Sequence, residues 1–185
     1  MHEEDSEENN ASNEEEHEHN LAPLDPVFHS FLLDGPFEEC LACSCKLEDT
    51  TYLIHKNWVG TEVVFEYAMC YKCGEKLHSE MSKESMIQVT EFLEDNRNLE
   101  GTYDGCNCCE RPLSECKEYS LNAVCVGLKM DSMHYPAMIC GDCNMQIQEM
   151  LSQQTRDRRD RFVGEHFDCP PSIEIPLPTE FVTQH

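Results

Sequence analysis

Four C-x-x-C pairs punctuate this chain. Cys40 and Cys43 form the first, Cys70 and Cys73 the second, Cys106 and Cys109 the third, and Cys140 and Cys143 the fourth. Each pair projects two thiolates from a tight turn toward one point. A second pair, brought back by the intervening chain, completes a tetrahedron and leaves no coordination position open. Eight of the thirteen cysteines thus fall into two sets of four. Their total is odd, and the sequence starts MHEEDSEENN, with no basic start and no apolar run. The cysteines therefore read as reduced metal ligands in a cytoplasmic chain rather than as a disulfide framework, which remains the alternative. No stretch is apolar enough to cross a bilayer.

The frame is an internal repeat. The paired cysteines enclose 26 residues in the first unit and 30 in the second. The flanks repeat as well: Leu47 corresponds to Leu113, Met81 to Leu151 and Phe92 to Phe162. Within each unit the order is knuckle, hairpin, helix. TYLIH at 51–55 is β-prone, 57–60 reads as a turn, and Val63, Phe65 and Tyr67 alternate onto one strand face. Beyond Cys73, Leu77, Met81, Met86, Val89 and Phe92 form a helical stripe, with Ser82 placed to cap a restarted helix. Ile147 and Leu151 are the second unit's counterparts, and Arg159 stands where the first has Val89.

The formal charge is -24, and the first twenty residues hold nine acidic side chains without a Lys or Arg. Such a surface repels phosphate backbones and anionic membranes, which disfavours a nucleic-acid-binding regulator and a membrane protein. The organisation follows: a disordered acidic tail (1–20), an apolar segment (21–36), a first four-cysteine zinc module (37–95), a linker (96–105), a second four-cysteine zinc module (106–168) and a Pro-rich C-terminal tail (169–185). In the apolar segment, Val27, Phe28, Phe31 and Leu32 suggest a short helical face lying across the first module.

Cys40-Leu41-Ala42-Cys43, the hairpin region and Cys70-Tyr71-Lys72-Cys73 leading into a helix resemble the treble-clef zinc-finger group. Cys106-Asn107-Cys108-Cys109 and Cys140-Gly141-Asp142-Cys143 repeat the resemblance. It implies a small metal-stabilised α+β fold of two treble-clef-like modules, with two structural Zn2+ ions held by Cys40, Cys43, Cys70 and Cys73 and by Cys106, Cys109, Cys140 and Cys143. It implies no particular activity. Iron, in a mononuclear thiolate site or a cluster, is the chemical rival.

The remaining cysteines are Cys45, Cys108, Cys116, Cys125 and Cys169, read as buried fillers. Cys108 is also a possible substitute for Cys106 or Cys109, and Cys45 for Cys43; the repeat favours the ligand sets given above. His166 and Cys169 form a weak nucleophile pair without an orienting group. His134 is a candidate for orienting a thiolate, and His78 reads as solvated or locally bonded. The RDRRDR run at 156–161 reads as a solvated helix face, with a bridge to the other repeat as the alternative.

No open metal position or convergent polar pocket is apparent. The sequence therefore points to a non-enzymatic zinc-binding protein acting as a structural or protein-interaction module. Its partner would be another protein, basic in character, or a second copy of the chain. A metal-dependent hydrolase or thiol redox protein is the alternative.

Overall fold

The computed structural model describes residues 21–96, 103–132 and 137–167. The expected acidic tail, most of the expected linker, His134 and the segment from Asp168 onward lie outside the described residues. The described strands are β1 (Leu21–Pro23), β2 (Thr51–Val59), β3 (Glu62–Cys70), β4 (Glu118–Val126), β5 (Lys129–Asp131) and β6 (Ala137–Cys140). The helices are α1 (Tyr71–Ser79), α2 (Lys83–Asn96), α3 (Gly141–Met150) and α4 (Gln153–His166). None of them is long and apolar enough to cross a membrane.

Both units contribute to one sheet, in the order β1-β5-β4-β2-β3, with β6 also paired to β4. β2 and β4 lie antiparallel at its centre, from Thr51 opposite Val126 to Val59 opposite Glu118. The strand signal at 51–55 runs on to Val59, so the turn falls later than the sequence suggests. A bulge at Val64 places Val63 opposite Trp58, while Phe65 still faces Asn57 and Tyr67 faces His55. Val63 therefore leaves the face it was expected to share, because an extra residue in one strand reverses the alternation beyond it. In the second unit the returning strand is divided into β5 and β6. Gly127 makes the β4–β5 turn at φ +57, and a Cβ there would stand 2.7 Å from the Glu48 carbonyl.

Helix restarts mark the other contact between repeats. Ser82 precedes α2 and accepts from the Ser85 N–H at 3.2 Å, as expected of a cap; Ser152 does the same for α4 with Thr155 at 3.3 Å. The two cap hydroxyls meet at 2.7 Å. The contact is reciprocal: the Ser82 N–H donates to Thr155 Oγ1 at 3.0 Å, and the Ser152 N–H to Ser85 Oγ at 2.8 Å. Equivalent atoms thus exchange equivalent bonds, which is the signature of an internal pseudo-twofold. The core is likewise common, taking Tyr52, Ile54, Tyr67 and Val89 from one unit and Leu121, Met138, Ile147 and Phe162 from the other.

The arginine run is not a uniformly solvated face. Arg158 pairs with Glu80 of the first unit, and Arg159 is buried and donates to Gln148 Oε1. The alternative, a bridge between repeats, is the arrangement present.

The apolar N-terminal segment also differs from expectation. Only Pro26–Phe28 is helical, as one 3-10 turn, with Phe28 fully buried against Tyr103. β1 pairs with β5, so the segment spans both units rather than lying on the first alone. Phe31, Leu32 and Leu33 face outward, at 76%, 86% and 55% exposure. Glu66 anchors this turn by accepting from Ser30 Oγ and from the Phe31 N–H, each at 2.8 Å. Lys56 pairs with Glu66 at 3.2 Å and donates to the His29 carbonyl at 2.5 Å. Both charged side chains are nearly buried. Glu66→Gln would leave the Lys56 ammonium buried without its counter-charge. We predict a loss of about 3–5 kcal/mol in urea unfolding, with the sheet signal retained in the native state.

At the centre of the sheet, fully buried His55 donates through Nδ1 to Asn122 Oδ1 at 2.5 Å. Burial pushes its pKa from 6.5 down to about 4, against the opposing hydrogen bond to Asn122. The unfolded chain therefore binds the extra proton first as pH falls below about 6.5. The stability associated with a neutral His55 is full above that pH and is lost on descent toward pH 4. Across that window the loss is about 3 kcal/mol. Unfolding free energies of native protein and His55→Gln, measured from pH 7 to 4.5, should converge on acidification.

Candidate metal centres

In each unit the first C-x-x-C pair occupies a knuckle that the backbone closes twice. The Cys40 N–H donates to the Cys45 carbonyl at 2.9 Å and the Ser44 N–H to the Cys40 carbonyl at 2.8 Å. In the second unit, Cys106 donates to Arg111 and Glu110 to Cys106, each at 2.8 Å. The turn requires a left-handed residue after the second cysteine, and both units place a non-glycine there: Ser44 at φ 56 and Glu110 at φ 59. No glycine marked these positions in the sequence.

The second pair straddles a strand-to-helix junction. Cys70 ends β3 and Cys140 ends β6; Cys73 and Cys143 lie in the first turns of α1 and α3. The knuckle docks on the returning strand through the Leu41 N–H to the Ala68 carbonyl at 2.9 Å. Asn107 repeats this bond to Met138 at 2.8 Å. Strand pairing and knuckle docking therefore bring the four sulfurs of a unit together.

The sulfurs of Cys40, Cys43, Cys70 and Cys73 all lie within 4.8 Å of one another, as do those of Cys106, Cys109, Cys140 and Cys143. A single ion with sulfur bonds of about 2.3 Å requires tetrahedral edges of about 3.8 Å. Cys43 and Cys70 are 3.8 Å apart, and Cys109 and Cys140 are 3.7 Å apart. These separations suit co-ligands of one ion and far exceed the ~2.05 Å covalent length of a cystine. Two spatially separate four-cysteine clusters, each suited to a divalent cation, are the outcome.

The surroundings act on the thiols in both directions: burial pushes Cys140 up to about 11 and raises Cys40, Cys73 and Cys143 as well, while hydrogen bonds favour thiolate at other positions. The Cys70 N–H donates to Cys40 Sγ and the Cys140 N–H to Cys106 Sγ, both at 3.3 Å. The backbone of Cys45 draws the Cys43 thiol down to about 6. The Cys108 side chain, by donating to Cys106, draws that thiol down to about 4. Cys45 and Cys108 thus lie beside the clusters as hydrogen-bonding neighbours, outside the two sets of four. Of the other cysteines, Cys125 is buried and Cys116 partly buried. His166 packs its ring on Phe162 at 4.8 Å. Its supposed partner Cys169 lies outside the described residues.

Three cavities of 350, 310 and 290 Å³ include none of the eight cluster cysteines in their walls. No protein-family model, curated protein or solved structure matches the chain.

The placement of Cys45 and Cys108 is open to direct measurement. Cys45→Ser and Cys108→Ser should each retain the native metal content by elemental analysis. Cys43→Ser and Cys106→Ser should each lose one equivalent per chain, because three sulfurs leave the tetrahedron incomplete.

Proposed function

We propose that this chain is a non-enzymatic zinc protein that serves as a structural and protein-interaction module. The observation that carries the reading is the closure of each cluster: four sulfurs meet the full coordination demand of one ion. Catalytic zinc sites ordinarily keep a position for water or substrate. Zn2+ is the proposed ion because it accepts four thiolates tetrahedrally without redox chemistry. The close approach of the sulfurs supports one ion per cluster over an iron–sulfur cluster, which would interpose several iron and sulfide atoms. The recurrence of knuckle, returning strand and helix supports the treble-clef resemblance of each unit. Cys40, Cys43, Cys70 and Cys73 would hold one ion, and Cys106, Cys109, Cys140 and Cys143 the other.

The proposed contact surface is the turn carrying Phe31, Leu32 and Leu33. Three consecutive apolar side chains stand exposed there, and buried Lys56 and Glu66 fix the backbone beneath them. An anchored turn loses little conformational freedom on docking. The partner is proposed to be a protein with an apolar pocket and a basic rim, complementary to a chain of charge -24.

The test compares native protein with Phe31→Asp/Leu32→Asp, both metal-loaded, as bait. A basic protein that binds native bait in purified form, with the variant at least about tenfold weaker, is the expected result. Equal binding by both would remove the turn from the interface. Metal-dependent turnover of a small molecule by pure native protein, abolished by Cys43→Ser, would contradict the non-enzymatic reading.

A further inference from the structure

The two halves of the sheet match strand for strand, but only one of them has its outer edge covered. Trp58 pairs with Val63 as Cys125 pairs with Met130, and Val59 with Glu62 as Val126 with Lys129. Gly60 and Gly127, both at positive φ, make the two turns. Val63 and Val64 are thus the counterparts of Met130 and Asp131. β5 carries β1 on its outer edge, with Leu21 opposite Asp131, Ala22 opposite Met130 and Pro23 opposite Lys129. Among the described residues no strand takes that place on β3, which pairs with β2 alone.

The bonds that β1 makes show what the open edge offers. The Leu24 N–H donates to the Leu128 carbonyl at 3.0 Å. Bonded and non-bonded pairs alternate along an antiparallel ladder, so Ala22 and Met130 are the next bonded pair. Pro23, which has no N–H, falls on a non-bonded position. By the same correspondence the Val63 N–H and carbonyl, and the Thr61 carbonyl, face away from β2 toward the open edge. A cavity adjoins each edge. Asn57, Val59 and Val64 line one of 310 Å³; their counterparts Val124, Val126 and Asp131 line one of 290 Å³. Leu21 of β1 completes the wall of the second. The first has no such strand beside it among the described residues, and Val64 stands 58% exposed there.

Charge distinguishes the two edges. Pro23 lies opposite Lys129, whereas the matching position on β3 is Glu62. Val59 pairs with Glu62 on one side and Glu118 on the other, so both carboxylates stand in one row on the cavity face. A second copy of this chain, at -24, would bring like charge to that row.

We propose that the outer edge of β3, from Thr61 to Val64, accepts an extended segment of another protein as an added antiparallel strand. The incoming residue opposite Val63 exchanges two backbone hydrogen bonds with it. The residue opposite Val64, in the place that Leu21 takes on β5, is aliphatic and enters the 310 Å³ cavity. The residue opposite Glu62 is Lys or Arg, because opposite charges across a strand pair attract. From its N-terminal side the segment therefore reads aliphatic, any residue, basic. This edge is a separate site from the Phe31–Leu33 turn.

The test pans a phage library of random octapeptides on immobilised full-length, metal-loaded protein. Recovered peptides should converge on the aliphatic-x-basic pattern. A synthetic peptide of that consensus should bind native protein and slow hydrogen exchange at the Val63 amide. Val63→Pro removes this donor at an edge position that tolerates proline, and should weaken the peptide at least about tenfold. Glu62→Lys installs the residue type that Lys129 provides at the matching position, and should weaken it about fivefold. If Val63→Pro loses its metal or sheet signal, Glu62→Lys and the Val63 exchange decide the matter. Phe31→Asp/Leu32→Asp should bind the peptide as native protein does. A library without a consensus, equal binding by native protein and Glu62→Lys, or unchanged exchange at Val63 would overturn the proposal. So would loss of binding in Phe31→Asp/Leu32→Asp, which would assign the peptide to the apolar turn. A native dimer that Glu62→Lys or Val63→Pro converts to monomer would assign the edge to a second copy, and would equally overturn it.

Discussion

Four sulfur atoms held within one ion's reach are the constraint on which the rest of this structure depends. Thiolates at such separations repel one another, and without a cation their burial is unfavourable. The fold concentrates opposing features at the same points. Knuckle turns close on their own backbone, and the amides of Cys70 and Cys140 point at sulfur. Two left-handed residues sharpen the turns where the backbone must reverse. Structural zinc contributes about 10–16 kcal/mol of apparent binding free energy in small modules. A folded domain retains only about 5–15 kcal/mol of net stability. One occupied cluster would therefore be comparable to the whole margin, and two occupied clusters would make the ions integral to the fold.

The repeats do not fold as beads on a string. β2 and β4 form the central pair of a shared sheet, and the helix caps meet through Ser82 and Ser152. The clusters stand apart while the apolar core between them is continuous. This geometry lets short elements bury whole side chains: Tyr52, Tyr67, Leu121 and Met138 are almost inaccessible to solvent. It also explains why two matching units carry different buried groups. Val89 fills its position with hydrocarbon, whereas Arg159 needs Gln148 and Asp160 as partners.

Local sequence was a good guide where a feature is decided within one turn or one strand. Cysteine spacing led to the two clusters, and the flanking repeats led to matched knuckles and helices. Ser82 signalled a restart because a cap is set by its own hydroxyl and the next three residues. Features decided by distant partners were not legible. Nothing around His55 indicates Asn122, and the RDRRDR run suggests a bridge to the other repeat without singling out Glu80. The bulge at Val64 reversed a simple alternation, so Val63 followed Trp58 rather than Phe65. Phe31 and Leu32 look like core residues by composition, yet the buried ion pair beneath them turns them outward. Ser44 and Glu110 gave no signal either, because their left-handed backbone is imposed by the knuckle and not chosen by glycine.

The most direct test of this account is a chelator titration of metal-loaded protein, followed together by released zinc and far-UV circular dichroism. The account predicts two zinc ions per chain, loss of sheet signal as they leave, and its recovery when stoichiometric zinc is returned. Protein that carries no metal, or that keeps its sheet and cooperative unfolding after both ions are gone, would contradict it.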